Sequence, residues 1–181
     1  MVSPFPPAKR GSPGYDPDHV GKFLDQARRA FEESEDGLNS RDIRHKVFPL
    51  VAKEGFDTKA VDEALWRLEE AFAEKERASE AQKLGEETFY SEVRLRAQEI
   101  LDRVARPNNF KFRTVSKIRP GYRPSDVDSL CDRIGAYLQQ QEKLAVTELR
   151  AVLFRTALGG YDEKQVDLLI DETVSIMLSV R

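Results

Sequence analysis

A glycine followed by an aromatic residue opens four segments that share one register, and no other feature of the 181-residue sequence restricts its fold as much. The openings are Gly14-Tyr15-Asp16, Gly55-Phe56-Asp57, Gly121-Tyr122-Arg123 and Gly160-Tyr161-Asp162, and each is followed five residues after the aromatic by a valine: Val20, Val61, Val127 and Val166. From each valine an apolar stripe continues with helical spacing. It runs through Phe23, Leu24, Ala27 and Phe31 in the first segment, and through Ala64, Leu65, Leu68 and Phe72 in the second. The third gives Leu130, Cys131, Ile134 and Leu138; the fourth gives Leu169, Ile170, Thr173 and Met177, with one polar lapse at Thr173.

The residues ahead of each stripe explain why a helix begins there. Asp16, Asp57 and Asp162 can accept hydrogen bonds from orphan backbone N–H groups as N-caps, whereas Arg123 breaks the pattern. Pro17 and Pro124 suit the first helical position. The glycine implies either a positive φ or a close chain approach, and the aromatic is placed to lock the loop against its helix. A Phe precedes each glycine, nine residues back in the odd segments (Phe5, Phe112) and seven or six in the even ones (Phe48, Phe154). Short helices are expected before Phe48 and Phe154. Odd segments match odd and even match even, which reads as a duplicated pair.

The expected organisation is a first half over residues 1–75, a helical connector over 76–106 and a second half over 107–181. The connector carries Phe89, Val93, Ala97, Ile100, Leu101 and Val104 at helical spacing, Gly85 as a weak point and Pro107-Asn108-Asn109 as a stop. No segment shows strand alternation, so the fold class is all-α.

A hydrophobic content of 40 % suffices for a modest core, and 34 % charged against 9 % aromatic suits helices with broad solvated faces. The net charge of −3 gives no global attraction to nucleic acid or anionic membrane, so any such contact must come from a local patch. The single cysteine rules out an intramolecular disulfide and points to a reducing compartment. Neither a signal sequence nor a membrane span is expected, and a cytoplasmic location follows.

At the segments Asp42 to Leu65 and Glu148 to Asp171, with degenerate copies around Gly14 and Gly121, the sequence resembles the N-terminal domain of the DivIVA/GpsB family of bacterial cell-division and polarity proteins. The shared elements are a short helix ending in Phe, a hooked loop, and Gly-Tyr-Asp with a downstream Val-Asp opening a longer helix. The resemblance implies hooked loops that cross in parallel pairs. Here two units lie in each half, so each half would mimic the family's dimer within one chain, with helices 16–33 and 57–75 side by side, and 123–140 and 162–179 likewise. It also implies protein partners, the cytoplasmic tails of cell-wall or division proteins, and leaves a homo-oligomer open. Filament-like assembly is put in doubt because no long heptad tail follows Met177.

GpsB-like adaptors grip arginine side chains with the motif Tyr and the aspartates six and ten residues on. The resemblance transfers that role to Tyr161, Asp167 and Asp171 in the fourth copy and to Tyr122, Asp128 and Asp132 in the third. Carboxylates four apart share one helix face and suit a guanidinium, although acidic residues flank apolar stripes on most surface helices. The first two copies are incomplete, with Gly21, Phe56 and Trp66 at motif positions. Trp66 is expected to plug the first half's groove.

A second surface lies between Asp102 and Asp126, where no acidic residue occurs and Arg103, Arg106, Lys111, Arg113, Lys117, Arg119 and Arg123 interleave with Phe110, Phe112, Ile118 and Tyr122. DivIVA-like loops touch membrane at the corresponding place, so Lys111, Arg113, Lys117, Ile118 and Arg119 are the membrane or anion contacts. The same composition would suit phosphates of nucleic acid, and a solvated loop would also explain it. Catalytic patterns are poor: His19 and His45 lack metal-ligand spacing, Cys131 sits on a packing stripe, and neither a phosphate loop nor a nucleophile elbow is present. The chain is therefore read as a non-enzymatic adaptor without cofactors, with a peripheral membrane scaffold at the inner face of the cell membrane as the alternative and nucleic-acid binding third.

Overall fold

The structure, a computed structural model, describes residues 4–33 and 37–180. The fold is predominantly helical, and it divides into two compact units, residues 1–79 and 80–181. Residues 1–3, 34–36 and 181, which the halves expected from the sequence include, lie outside the described residues.

The first unit contains β1 (Gly14–Tyr15), α1 (Pro17–Glu33), α2 (Ser40–Arg44), β2 (Leu50–Val51) and most of α3 (Thr58–Leu84). β1 and β2 pair antiparallel, Gly14 opposite Val51 and Tyr15 opposite Leu50. The two motifs cross at their glycines. Tyr15 N–H donates to the Phe56 carbonyl at 3.0 Å, and Phe56 N–H donates back to Tyr15 at 2.8 Å. The flanking chain closes the knot, with Ala8 N–H on the Gly55 carbonyl, Asp57 N–H on Pro6 and Asp16 N–H on Pro49. The aromatics are exchanged as well: Tyr15 packs edge-on against Phe48 at 5.5 Å, and Phe56 against Phe5 at 5.4 Å.

From this crossing α1 and α3 run side by side over a core of Val20, Phe23, Ile43, Phe48, Val61, Leu65 and Phe72. Further along, Phe31 meets Phe72 at 5.2 Å, and the Lys75 ammonium donates to the Phe31 carbonyl. The short α2 starts at an Asn39–Asp42 capping box and is tied to α3 by polar contacts. Its Arg44 reaches Glu69 at 2.7 Å, a carboxylate only 1 % exposed. Ser40 gives both its N–H and its hydroxyl to Glu76.

The second unit contains α4 (Glu86–Val104), β3 (Pro120–Tyr122), α5 (Pro124–Leu138), α6 (Val146–Arg150), β4 (Thr156–Leu158) and α7 (Glu163–Ser179). β3 and β4 pair antiparallel with Gly121 opposite Ala157. The same kind of exchange occurs here: Tyr122 N–H donates to Tyr161 at 3.0 Å and Tyr161 N–H donates back at 2.8 Å. Val115 N–H bonds Gly160, Asp162 N–H bonds Arg113 and Arg123 N–H bonds Arg155. Tyr122 packs on Phe154 at 4.9 Å and Tyr161 on Phe112 at 5.3 Å. In both units each motif aromatic therefore rests on the Phe that precedes the other motif.

The stripes predicted from periodicity are the packed faces; of those residues only Phe31 is exposed, at 37 %. The polar lapse at Thr173 is accommodated because its hydroxyl donates to the Leu169 carbonyl one turn back at 2.7 Å. The predicted caps also form: Asp16 accepts from Asp18 and His19, Asp57 from Ala60, and Asp162 from Lys164.

The helical character expected from the sequence is present; beside it the described residues hold four strands of two or three residues each, too short to show alternation and paired only at the crossings. Residues 76–106, expected as a helical connector, hold the end of α3 and all of α4. Gly85, at φ +84°, ends α3 and starts α4, and α4 packs within the second unit against both α5 and α7. There Arg96 reaches Glu172 at 2.6 Å and Ser175 at 3.0 Å.

The glycines before the aromatics serve close approach and not positive φ. A Cβ on Gly160 would lie 2.5 Å from the Tyr122 carbonyl oxygen, and one on Gly14 2.5 Å from that of Phe56. A Cβ on Gly21, within α1, would meet nothing within 4 Å. Gly160→Ala is accordingly expected to unfold or severely destabilise the second unit, while Gly21→Ala stabilises the first by about 0.5–1 kcal/mol through helix propensity. Chemical denaturation of the two variants checks both signs.

Candidate functional site

The tyrosine and aspartates that the resemblance singles out are brought together across each pair of motifs. The Tyr161 hydroxyl, fully buried, donates to Asp128 at 2.9 Å, so the fourth motif's tyrosine takes the third motif's carboxylate. Tyr122 in turn bonds Asp167 of the fourth motif. In the first unit Tyr15 bonds Asp62 of the second motif. The fourth such pairing would join Phe56 to Gly21, and there both the hydroxyl and the carboxylate are missing. Of the groups expected to act as triads within one copy, Tyr161 with Asp167 and Asp171 and Tyr122 with Asp128 and Asp132, the two tyrosines thus bond the first aspartate of the other copy.

These bonds set the electrostatics of the crossing. Burial, reinforced by Asp167, pushes the Tyr122 phenol up to about 12, and burial with the Asp128 bond raises Tyr161 further. Burial also raises Asp62.

The third motif's carboxylates are occupied from inside the chain. Asp128, 3 % exposed, accepts from both Tyr161 and the Asn109 N–H at 2.8 Å. Lys111, also 3 % exposed, extends its ammonium to Asp132 at 3.2 Å and to the Val104 carbonyl at the end of α4, while its N–H bonds the Tyr161 hydroxyl. This corrects the placing of Lys111 among outward-facing membrane contacts. Asp132 itself is largely exposed. On α7, Asp167 is exposed and Asp171 half-buried, and each already has a partner in the folded chain. Trp66, expected as a plug, is half-buried with a partner of its own.

Of the other cations in the basic stretch, Arg113 is exposed but tied to Asp162 at 2.7 Å, and Arg103 lies over the Phe112 ring at 5.9 Å. Lys117, Ile118 and Arg119 stand at the tip of the crossing, in a turn closed by the Arg119 N–H on Ser116. Ile118 is 86 % exposed. The neighbouring strand end adds Leu158, 71 % exposed, held there by the Gly159 N–H on the Arg119 carbonyl. Leu158 escaped sequence reasoning because it lies forty residues from Ile118; its place two residues before a motif glycine was the available signal. The internal use of Lys111 and Arg113 thins the cationic run that would favour nucleic acid.

Cys131 is buried, and that burial pushes its thiol up to about 12. Among the described residues no group of three or more His, Cys, Asp or Glu is placed to hold a metal ion, and no helix is long and apolar enough to cross a membrane. Comparison with family models, with curated proteins and with solved structures found no match to this chain.

Asp126 near the start of α5 makes a two-pronged contact with Arg155, at 2.8 Å and 2.5 Å, and the guanidinium holds the carboxyl down to about 2. A carboxylate depressed in the folded state stabilises fully above its ordinary value and loses that contribution as pH falls through its folded one. Stability of the second unit is therefore expected to decline between about pH 4 and pH 2. Asp126→Asn should remove part of that acid dependence, as read from thermal unfolding over this range.

Proposed function

We propose that the chain is a non-enzymatic adaptor or scaffold of the DivIVA/GpsB type, a tandem duplication of helix-loop-helix units, whose second crossing rests on an anionic membrane surface. The architectural part is supported by the reciprocal hydrogen bonds and exchanged aromatics that recur in the two units. The membrane part is carried by one observation: Ile118 and Leu158 are both exposed at a tip flanked by Lys117 and Arg119. Two large apolar side chains held in water gain from entering an interface, and each cation near an anionic surface adds about 1 kcal/mol. In the first unit Gly11 and Lys53 stand where Ile118 and Leu158 stand relative to their motif glycines, and its exposed Leu50 lies farther back on β2 opposite Tyr15, so the contact is assigned to the second unit.

Flotation of the purified protein with anionic and neutral liposomes tests this. Co-flotation is expected with anionic vesicles only, weakening with salt, and Ile118→Asp with Lys117→Glu should abolish it. Flotation unchanged in that double variant would sink the membrane contact.

A second reading keeps a protein-binding role for the acidic face of α7. It is favoured by the exposure of Asp167 beside Tyr122, where Glu163 adds a further negative charge. An arginine-bearing tail docking there would have to share Asp167 and Asp171 with their present partners. Asp167→Ala is expected to remove binding of such a peptide while leaving helical content intact; binding that survives the change rules this face out.

A further inference from the structure

In the second unit a cleft of about 700 Å³ opens between α4, the end of α5 and the end of α7. Val93, Ala97, Leu138, Leu144, Ile176 and Val180 give it an apolar wall. A volume and lining of this kind suit a small, largely apolar molecule. The mouth is different: Arg94 and Lys143 stand there exposed, Tyr137 is half-buried, and Glu142 is the one carboxylate among the described lining residues. Among the described residues the side chains of Arg94, Lys143 and Tyr137 make no ion pair or hydrogen bond. The helix end beside them is already satisfied, since the Gly135, Ala136 and Tyr137 carbonyls accept from the N–H groups of residues 139–142. A smaller cleft between α4 and α7 shows the contrast, because Arg96 there is bonded to Glu172 and Ser175 and Arg103 lies over the Phe112 ring.

We infer that this cleft is a site for a free long-chain carboxylate, its chain along Val93, Ala97 and Ile176 and its head group between Arg94 and Lys143, where the Tyr137 hydroxyl can donate to it. Each methylene taken out of water strengthens binding about fourfold, and the two cations select a negative head group. The site is separate from the proposed membrane contact. The Ile118 loop precedes α5 and the cleft lies where α5 ends, with fifteen residues and so about 22 Å of helix between them. Failure of flotation therefore leaves it untouched, as does failure of an arginine-bearing peptide to dock on Asp167.

Titration calorimetry of the full chain with dodecanoate, beside octanoate and dodecyltrimethylammonium, tests this. One dodecanoate is expected per chain, with octanoate and the cationic amphiphile each more than about tenfold weaker. Arg94→Glu combined with Lys143→Glu should reverse the preference between the two head groups, and Ala97→Trp, which fills the apolar wall, should remove binding of both. Absence of saturable binding overturns the proposal, as does equal affinity for the cationic amphiphile or binding that survives Ala97→Trp. Should Ala97→Trp lose its helical circular dichroism, Val180→Glu alters a residue 52 % exposed at the mouth and must weaken dodecanoate about tenfold; unchanged affinity there also overturns it. Anionic phospholipid vesicles that compete dodecanoate off the unaltered chain would make the occupant a membrane lipid and reject the free ligand.

Discussion

Two backbone segments meeting at glycines, with nothing but hydrogen on the facing Cα atoms, underlie everything else in each unit. The approach lets Tyr15 and Phe56, and likewise Tyr122 and Tyr161, exchange N–H and carbonyl groups directly. That exchange fixes where both long helices start and the direction in which they leave. The stripes beginning at Val20 and Val61, or at Val127 and Val166, then share one core because their origins are already tied. A methyl group at either glycine would push the backbones apart before any side chain could pack.

Polar groups at the crossing obey a matching rule. A buried phenol needs an acceptor, and a desolvated carboxylate needs a donor. Three of the crosswise positions hold both, as Tyr15 with Asp62, Tyr122 with Asp167 and Tyr161 with Asp128. The remaining one holds neither, since Phe56 stands at the tyrosine's motif position and Gly21 at the aspartate's. The buried Arg44–Glu69 contact follows the same requirement in the first unit, where removing one partner costs about 3–5 kcal/mol.

Much of this was legible in the residues. Helix starts, caps and buried stripes followed from Asp16, Asp57, Asp162 and the spacing of the valines, because those signals are local and the helix repeat imposes them. Gly85 marked a break for the same reason. Three features were hidden, each of them a consequence of tertiary contact. The strands exist only where the motifs cross. Whether Lys111 points outward or into an acidic seat depends on Val104 and Asp132, seven and twenty-one residues away. The crosswise bonding of tyrosines to aspartates could not be told from bonding within one copy, since spacing along a single helix says nothing of which helix supplies the acceptor. The stretch 76–106 looked like a linker because its apolar spacing is that of any amphipathic helix, and only its neighbours show that it is core.

The crossing in each unit joins two segments of the same polypeptide, and this frees the two sides from having to be alike. When one sequence pairs with itself, every substitution appears twice and any new surface is made in duplicate. Here one side can lose a phenol while the other keeps it, and one loop can carry Ile118 while its counterpart carries Leu158. The interface also forms at a local concentration set by the chain and not by the amount of protein present, so dilution cannot dissolve it. A chain built this way can present different residues on the two sides of one crossing, at whatever level it is made.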